Sequence, residues 1–189
     1  MNRLIIAALI AAPAVAHAQL QIGIDLGVRT RPESGRTVTG VQLEGMIVHP
    51  VSAAWSQQWD LAIVQMRNKT AAGNGLVENS IEASLLFRRA VGNGFGAALG
   101  PVMSYSTGCA TSSDLKGTNY GATTCVNSFT DKGTARPGYA LQLDWEKANA
   151  RGAVFRAGFR AVGHTVGSGS KTPKPGVWAG FTLPLVPAK

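Results

Sequence analysis

Three polar residues of the chain, His164, Ser168 and Glu78, are of the types that carry out acyl transfer. A serine hydroxyl attacks an ester when a histidine within hydrogen-bond reach takes its proton and a carboxylate orients the histidine. The two-residue alternation around His164 turns its side chain to the polar side of its segment, away from where an acyl chain would lie. We therefore predict no enzyme from these residues, and we interpret His164 as a histidine paired with an acid.

The two cysteines, Cys109 and Cys125, lie in a stretch rich in Gly, Ser, Thr and Asn. In an exported protein such a pair predicts a disulfide, and closing so short a loop would add about 3 kcal/mol of stability. No histidine lies near either cysteine, as a metal site would require. We accordingly predict neither a metal nor a cofactor.

Charged residues of both signs recur on the polar side of several segments. Removing an ion from water costs several kcal/mol unless it is paired, so we expect the arginines to bridge acids of other segments. The predicted network consists of Asp25, Glu44, Asp60, Glu82, Asp144, Arg88, Arg156 and Arg160. All seven lysines, by contrast, are expected in connections or at chain ends.

The first 18 residues, "MNRLIIAALIAAPAVAHA", predict a cleaved secretory signal: a basic residue, an apolar run and an A-x-A-like site. The mature chain would begin at residue 19 with 17 basic and 10 acidic residues, a formal charge of +7. An exported chain whose bases do not cluster with aromatics is not predicted to bind nucleic acid. Attraction to acidic lipid headgroups is the use we expect for this charge.

Eight segments alternate strictly between apolar and polar residues, the period of a β-strand with unlike faces. The first, "LQIGIDLGVR", is typical. No comparable stretch has helical periodicity. The segments begin near Leu20, Thr37, Trp55, Val77, Phe95, Tyr139, Ala153 and Val177.

The connections between these segments alternate in length. The longer ones span 30–36, 68–76, 106–136 and 165–175, whereas those between them are short turns. In a soluble meander, long and short connections are not expected to alternate in this way. An outer-membrane barrel has short periplasmic turns and longer outer loops.

The polar faces carry small residues and paired charges, which suits the narrow interior of an eight-stranded barrel. We predict an all-β fold, a closed eight-stranded antiparallel up-and-down transmembrane β-barrel over 19–189, because backbone groups cannot stay unpaired in hydrocarbon. Pro101 removes a ladder hydrogen bond, and we expect a bulge near Gly100 to accommodate it. The outward aromatics would form girdles at the two membrane interfaces: Trp59, Phe87, Phe95, Tyr105, Tyr139, Trp145 and Phe155.

From Leu20 to Leu185 this pattern resembles the small eight-stranded outer-membrane barrels, the family that includes OmpX and the barrel domain of OmpA. The resemblance implies the fold and a bacterial outer-membrane location, and it says little about activity. Barrels of this kind usually end in a terminal aromatic, whereas the last aromatic here is Phe181, in "GFTLPLVPAK".

We expect a non-enzymatic, structural or surface-recognition protein, a monomer in contact with lipid and lipopolysaccharide. Its loops would carry the function, with the 106–136 loop the best candidate to bind an extracellular protein or glycan. Three alternatives remain open: a lipid A-modifying deacylase or acyltransferase, a narrow ion channel, and a soluble lipocalin-like binding barrel.

Overall fold

The computed structural model describes residues 19–33, 36–69, 75–111, 135–150, 152–165 and 173–185. They form one antiparallel sheet in which each strand pairs with its neighbours in chain order and β1 pairs with β8. The closed eight-stranded barrel predicted from the alternation is thereby confirmed. The strands are β1 (Gln21–Glu33), β2 (Arg36–Pro50), β3 (Trp55–Lys69), β4 (Gly75–Gly92), β5 (Phe95–Thr111), β6 (Ala135–Ala148), β7 (Val154–His164) and β8 (Lys174–Pro184).

Strand register fixes the width of the barrel. Cross-strand partners followed from Asp25 through β2, β3, β4 and β5 lead to Arg136 on β6. Followed the other way, through β8 and β7, they lead to Glu146 on the same strand. The two endpoints are ten residues apart along β6, so the strands are strongly tilted and the interior has room for side chains only.

Side-chain exposure divides every strand into two faces. Large apolar residues point outward and stay open, as at Leu26, which is 67% exposed, and Leu61, which is 60% exposed. Inward positions carry polar and charged groups that are closed off from solvent, including Asp25 at 1% and Gln58 at 0% exposure, together with smaller apolar clusters such as that around Leu86. The arrangement is the inverse of a soluble domain, in which apolar side chains fill the centre.

Outward aromatics lie toward both ends of the strands. Trp59, Phe87, Phe95 and Phe155 are about half exposed on the side of the short turns, and Tyr105 and Tyr139 are similarly exposed on the other side. Trp145 is less exposed because its ring packs edge to face on Phe155, with the centroids 6.4 Å apart. Within the part of the chain that the structure describes, no helix is long and apolar enough to cross a membrane.

Several strands extend further than the alternation indicated. Between β1 and β2 only 34–35 remain of the predicted 30–36 connection, and between β5 and β6 only 112–134 remain of 106–136. Lys174, which was expected in a connection, begins β8 with its side chain buried inside the barrel. Backbone pairing continues past the apolar band, where both faces are polar and the alternation that marks a strand disappears.

The bulge expected near Gly100 is absent from β5. The ladder between β4 and β5 omits Gly100 and Pro101, yet the register is the same on both sides of the gap, and the shifts lie at Asn79/Ser80 and Ala90/Gly92 instead. Proline has no N–H to donate, so the ladder is interrupted there without being displaced. The Pro101 ring lies on the outward, exposed face.

Candidate functional site

The inward faces bring equal numbers of opposite charges into the barrel. Among the residues whose side chains the structure describes, these inward charges sum to zero. Seven cations, Arg29, Arg31, Arg88, Arg136, Arg156, Arg160 and Lys174, meet seven acids, Asp25, Glu44, Asp60, Glu78, Glu82, Asp144 and Glu146.

Arg160 of β7 occupies the centre of the interior. Its guanidinium donates to Glu44 Oε2 at 2.5 Å and to Asp60 Oδ2 at 2.9 Å. It also donates to Gln142 Oε1, from Nε at 2.9 Å. Arg160 thus links Gln142 on the neighbouring strand β6 to two acids on β2 and β3, which lie on the opposite side of the barrel.

A second cluster lies closer to the short turns. Arg88 of β4 donates to Asp144 Oδ1 from Nε at 2.8 Å and lies 3.2 Å from Glu146. The Nε of Arg156 is 2.9 Å from Glu146 Oε1. The Arg156 guanidinium also stacks over the Trp178 ring at 5.4 Å from its centroid, a cation–π contact.

Asp25 lies among these groups without joining them. Its carboxylate is 1% exposed, and neither of its oxygens accepts a hydrogen bond within the described residues. Glu44 Oε1 and Asp60 Oδ1 likewise accept no hydrogen bond within the described residues. The sequence predicted that every acid of the interior would be bridged by an arginine; the structure brings Arg160 to Glu44 and Asp60, and leaves Asp25 without a hydrogen bond.

A small cavity opens at the end of the barrel where the longer connections join the strands. We call it the outer mouth. Its volume is about 40 Å³. Charged residues line it: Arg29, Arg31, Arg136, Lys174, Glu78 and Glu82. Arg29 pairs with Glu82, and Arg31 forks onto Glu78 with N···O distances of 2.8 and 3.0 Å.

Ser104 and His164 meet at the outer mouth, but not as a nucleophile and its base. Ser104 donates its only proton to Glu82 Oε1 at 3.1 Å, and Glu82, ionised beside Arg29, can only accept. His164 Nε2 lies 2.7 Å from Ser104 Oγ, and with the Ser104 proton directed to Glu82 the histidine is the donor of that pair. A histidine that donates to the serine cannot take its proton.

Of the three residues considered for acyl chemistry, the structure describes Glu78 and His164, and their described contacts are with other residues. Glu78 bonds to Arg31, and the described contact of His164 is with Ser104. Ser168 lies outside the described residues, as does the predicted signal at 1–18. The described part of the chain holds no group of three or more His, Cys, Asp or Glu that could bind a metal ion.

The predicted disulfide stays a prediction. Cys109 belongs to the backbone of β5, but its side chain and the whole of Cys125 lie outside what the structure describes.

Sequence reasoning missed Arg31, Arg136 and Lys174 as interior residues. All three lie at inward positions of strand extensions that the alternation did not reveal. A signal for Arg31 existed, because it follows Arg29 by two residues and so falls on the same face of an extended strand. Arg136 and Lys174 are each followed directly by a proline, which masked the start of their strands.

Comparison with known proteins gives structural matches alone. No protein-family model and no curated protein matches the sequence. The chain is similar to Neisserial surface protein A, NspA, with 14% identity and a TM-score of 0.57 over 88% of this chain and 97% of that one. It is also similar to the outer membrane protein OprG from Pseudomonas aeruginosa, with 15% identity and a TM-score of 0.53 over 87% and 93%. At these identities the likeness concerns the fold, which is that of the small eight-stranded outer-membrane barrels, as the pattern of alternation indicated.

Proposed function

We propose that this chain is a non-enzymatic barrel of the bacterial outer membrane that presents its longer connections at the cell surface for recognition. The observation that carries the proposal is the exposed apolar band, which runs around all eight strands while the acids and arginines of the interior network are enclosed. A contiguous apolar surface of this extent is not stable in water. A lipid bilayer is the surrounding that suits it, and closure of the sheet leaves no strand edge in the lipid.

The filled interior supports a role without catalysis or steady conduction. Side chains at the centre, including Gln58, Gln142 and Thr182, have no exposed surface. Arg160 spans the bore by bonding to three other strands. Side chains thus pack across the bore of the described barrel, and in the described Ser104–His164 pair the serine donates to Glu82 and not to the histidine.

We assign recognition to the connections because the outer face of the barrel contacts lipid in this proposal and the barrel interior is filled by side chains. The longest connection, 112–134, is rich in Ser, Thr, Gly and Asn and contains two aromatic residues, Tyr120 and Phe129. Polar hydrogen-bonding residues interleaved with aromatics are typical of surfaces that bind proteins and glycans. An extracellular glycan or protein is therefore the proposed partner.

The membrane location is tested by folding and by topology. The purified chain should refold in detergent or phospholipid vesicles, migrate differently on unboiled and boiled gels, and give a β-rich circular dichroism spectrum. In intact cells, a protease-cleavage site inserted within 112–134 should be cut from outside, whereas the same site inserted in the turn after β2 should be protected. A chain that stays soluble and monomeric without amphiphile would overturn the proposal.

Recognition is tested by replacing 112–134 with a short Gly/Ser linker. Cells carrying the full chain should adhere to immobilised glycans or host-cell proteins, and cells carrying the linker variant should lose most of that adherence. The linker variant must keep its gel shift, which shows that its barrel is folded. Equal adherence by both kinds of cell would refute the assignment to this connection, and a changed lipid A mass profile would point to an enzyme instead.

A further inference from the structure

An arginine and a tryptophan meet on the outward face of the barrel, beside the short turns. Arg89 of β4 is the cross-strand partner of Trp55, the first residue of β3. The Arg89 guanidinium lies over the Trp55 ring, 5.6 Å from its centroid, and both side chains are exposed. The N–H of Ala90 donates to the carbonyl oxygen of Ala54 in the adjoining turn at 2.8 Å. The pair therefore lies at the edge of the outward face, where its strands end.

The Arg89 guanidinium keeps its hydrogen-bond donors for a partner outside the chain. A guanidinium that lies over an aromatic ring contacts it without using its N–H groups. Within the described residues, Arg89 forms neither an ion pair nor a hydrogen bond. No acid whose side chain the structure describes lies on the outward face, because those acids point into the barrel. An anion that meets Arg89 on this face would thus find no described carboxylate competing with it.

Two more polar side chains lie next to this pair on the same face. Gln57 of β3 follows Trp55 by two residues, so both point outward. Gln57 is the cross-strand partner of His49 on β2, which is exposed. An amide and an imidazole can each donate an N–H hydrogen bond. Donors from β2, β3 and β4 therefore lie together at the end of the barrel that carries the short turns.

The apolar band begins directly beside these donors. Phe87, Trp59 and Leu61 are 46%, 52% and 60% exposed on the outward faces of the same two strands, β3 and β4. A lipid whose headgroup met Arg89 would lay its acyl chains along these three side chains. The surface thus has the two parts that a phospholipid requires, a polar end with a cation and an apolar length.

We propose that Arg89 and Trp55 form a binding site for the phosphate of an anionic phospholipid, in the leaflet that lies at the short turns. The guanidinium fork of an arginine matches phosphate oxygens in geometry, and the Trp55 ring holds that guanidinium at the end of the apolar band. Gln57 and His49 donate to the same headgroup. The inference rests on the proposed membrane location, to which it adds a ligand and the residues that bind it.

The test is native mass spectrometry of the folded chain released from dodecyl maltoside micelles. The chain is titrated with phosphatidylglycerol or with phosphatidylcholine of the same acyl chains. Phosphatidylcholine carries the same phosphate beside a quaternary ammonium, which competes with Arg89 for it. The first phosphatidylglycerol bound should therefore have an affinity about tenfold higher than the first phosphatidylcholine.

Three substitutions at exposed positions locate the bound lipid. Arg89→Gln should reduce the preference for phosphatidylglycerol to about twofold or less, and Arg89→Lys, which keeps the charge without the fork, should fall between Arg89→Gln and the unaltered chain. Lys147→Gln is the matched control, because Lys147 is exposed at the same end of the barrel but contacts no ring within the described residues. It removes the same charge and should leave the preference unchanged. The shift on unboiled gels verifies that each variant is folded.

Equal affinity of the unaltered chain for the two lipids would overturn the proposal, as would a preference that Arg89→Gln leaves unchanged. An equal loss in Lys147→Gln would also overturn it, because the preference would then reflect general attraction to positive charge. A chain that shows the gel shift but no preference refutes this site and leaves the membrane location standing. A chain that stays soluble without amphiphile refutes the membrane location itself, and the site with it.

Discussion

Arg160 shows how a single residue can hold a barrel interior together. Its guanidinium is 4% exposed and pairs with acids of two strands far from its own. Such a pair gains little over a well-packed apolar group, but removing one member leaves charges buried without compensation. The stability of the interior therefore depends on keeping both members.

Arg160→Met should lower the free energy of unfolding by about 3–5 kcal/mol, because Glu44 and Asp60 would remain buried without their cation. Urea unfolding in phospholipid vesicles, followed by tryptophan fluorescence, measures the change. Arg67→Met, at an exposed position, should alter it by less than about 0.5 kcal/mol. Equal effects of the two substitutions would contradict the role given to Arg160.

Asp25 leads to the opposite expectation. Since its carboxylate oxygens accept no hydrogen bond within the described residues, Asp25→Asn should raise the free energy of unfolding by about 1 kcal/mol. The new amide could donate to Glu44, its cross-strand partner, whose Oε1 also lacks a donor. The same unfolding assay applies.

Asp144→Asn is the matched control for that gain. Asp144 accepts from Arg88 and Gln142, so the same change of side chain should lower the free energy of unfolding. If Asp25→Asn destabilised the barrel as much as Asp144→Asn, the two carboxylates would be equivalent and this account of Asp25 would be wrong.

At the residue scale, the sequence predicts which face of the sheet a side chain lies on, but not which partner it meets. The side of the sheet on which Asp25, Arg156 and Arg160 lie follows from the period of two. Which acid each arginine meets does not follow, because partners such as Arg160 and Glu44 are 116 residues apart. Their meeting depends on the stagger of the strands around the whole barrel, which no local pattern records.

Strands β4 and β5 approach each other closely where the ladder is interrupted. A Cβ on Gly100 would collide with the carbonyl oxygen of Leu85 on β4. The glycine thus makes room for the neighbouring backbone beside Pro101. At the element scale, the sequence indicated the ladder hydrogen bond lost at Pro101, but it revealed neither the strand ends nor the unshifted register there, because neither leaves a mark on the alternation.

Gly100→Ala should destabilise the barrel by about 1–3 kcal/mol, since the added methyl must push β4 and β5 apart. The folded fraction on unboiled gels after refolding, together with urea unfolding, measures the loss. Gly45→Ala is the control: its Cβ would meet nothing within 4 Å, and stability should stay the same or rise slightly. A loss in the control as large as in Gly100→Ala would contradict the packing argument.

The molecule as a whole is organised as a membrane protein, with paired charges inside the barrel and large apolar side chains on its outer face. This arrangement makes the cost of a new surface charge depend on height along the strand. Leu61 lies near the middle of β3 and is 60% exposed. Thr39 of β2 is also exposed, but it lies toward the longer connections, opposite Thr30 and Arg67.

Leu61→Arg should therefore cost about 2–4 kcal/mol of folding free energy in a bilayer, whereas Thr39→Arg should cost about 0–1 kcal/mol. Refolding into vesicles at graded urea concentrations measures both. If the two variants unfolded at the same urea concentration, the outward face would not lie in hydrocarbon, and the membrane assignment would be refuted.

The seam between the first and last strands has a consequence for biosynthesis. Nine residues of β1, Gln21 to Arg29, find their second set of partners on β8, the last of the eight barrel strands to be synthesised. Until β8 arrives, the backbone of β1 has an unsatisfied edge that hydrocarbon does not tolerate. A chain that terminates before β8 leaves this edge of β1 unpaired in hydrocarbon and cannot reach a stable inserted state. Barrel closure therefore requires that synthesis has continued through β8.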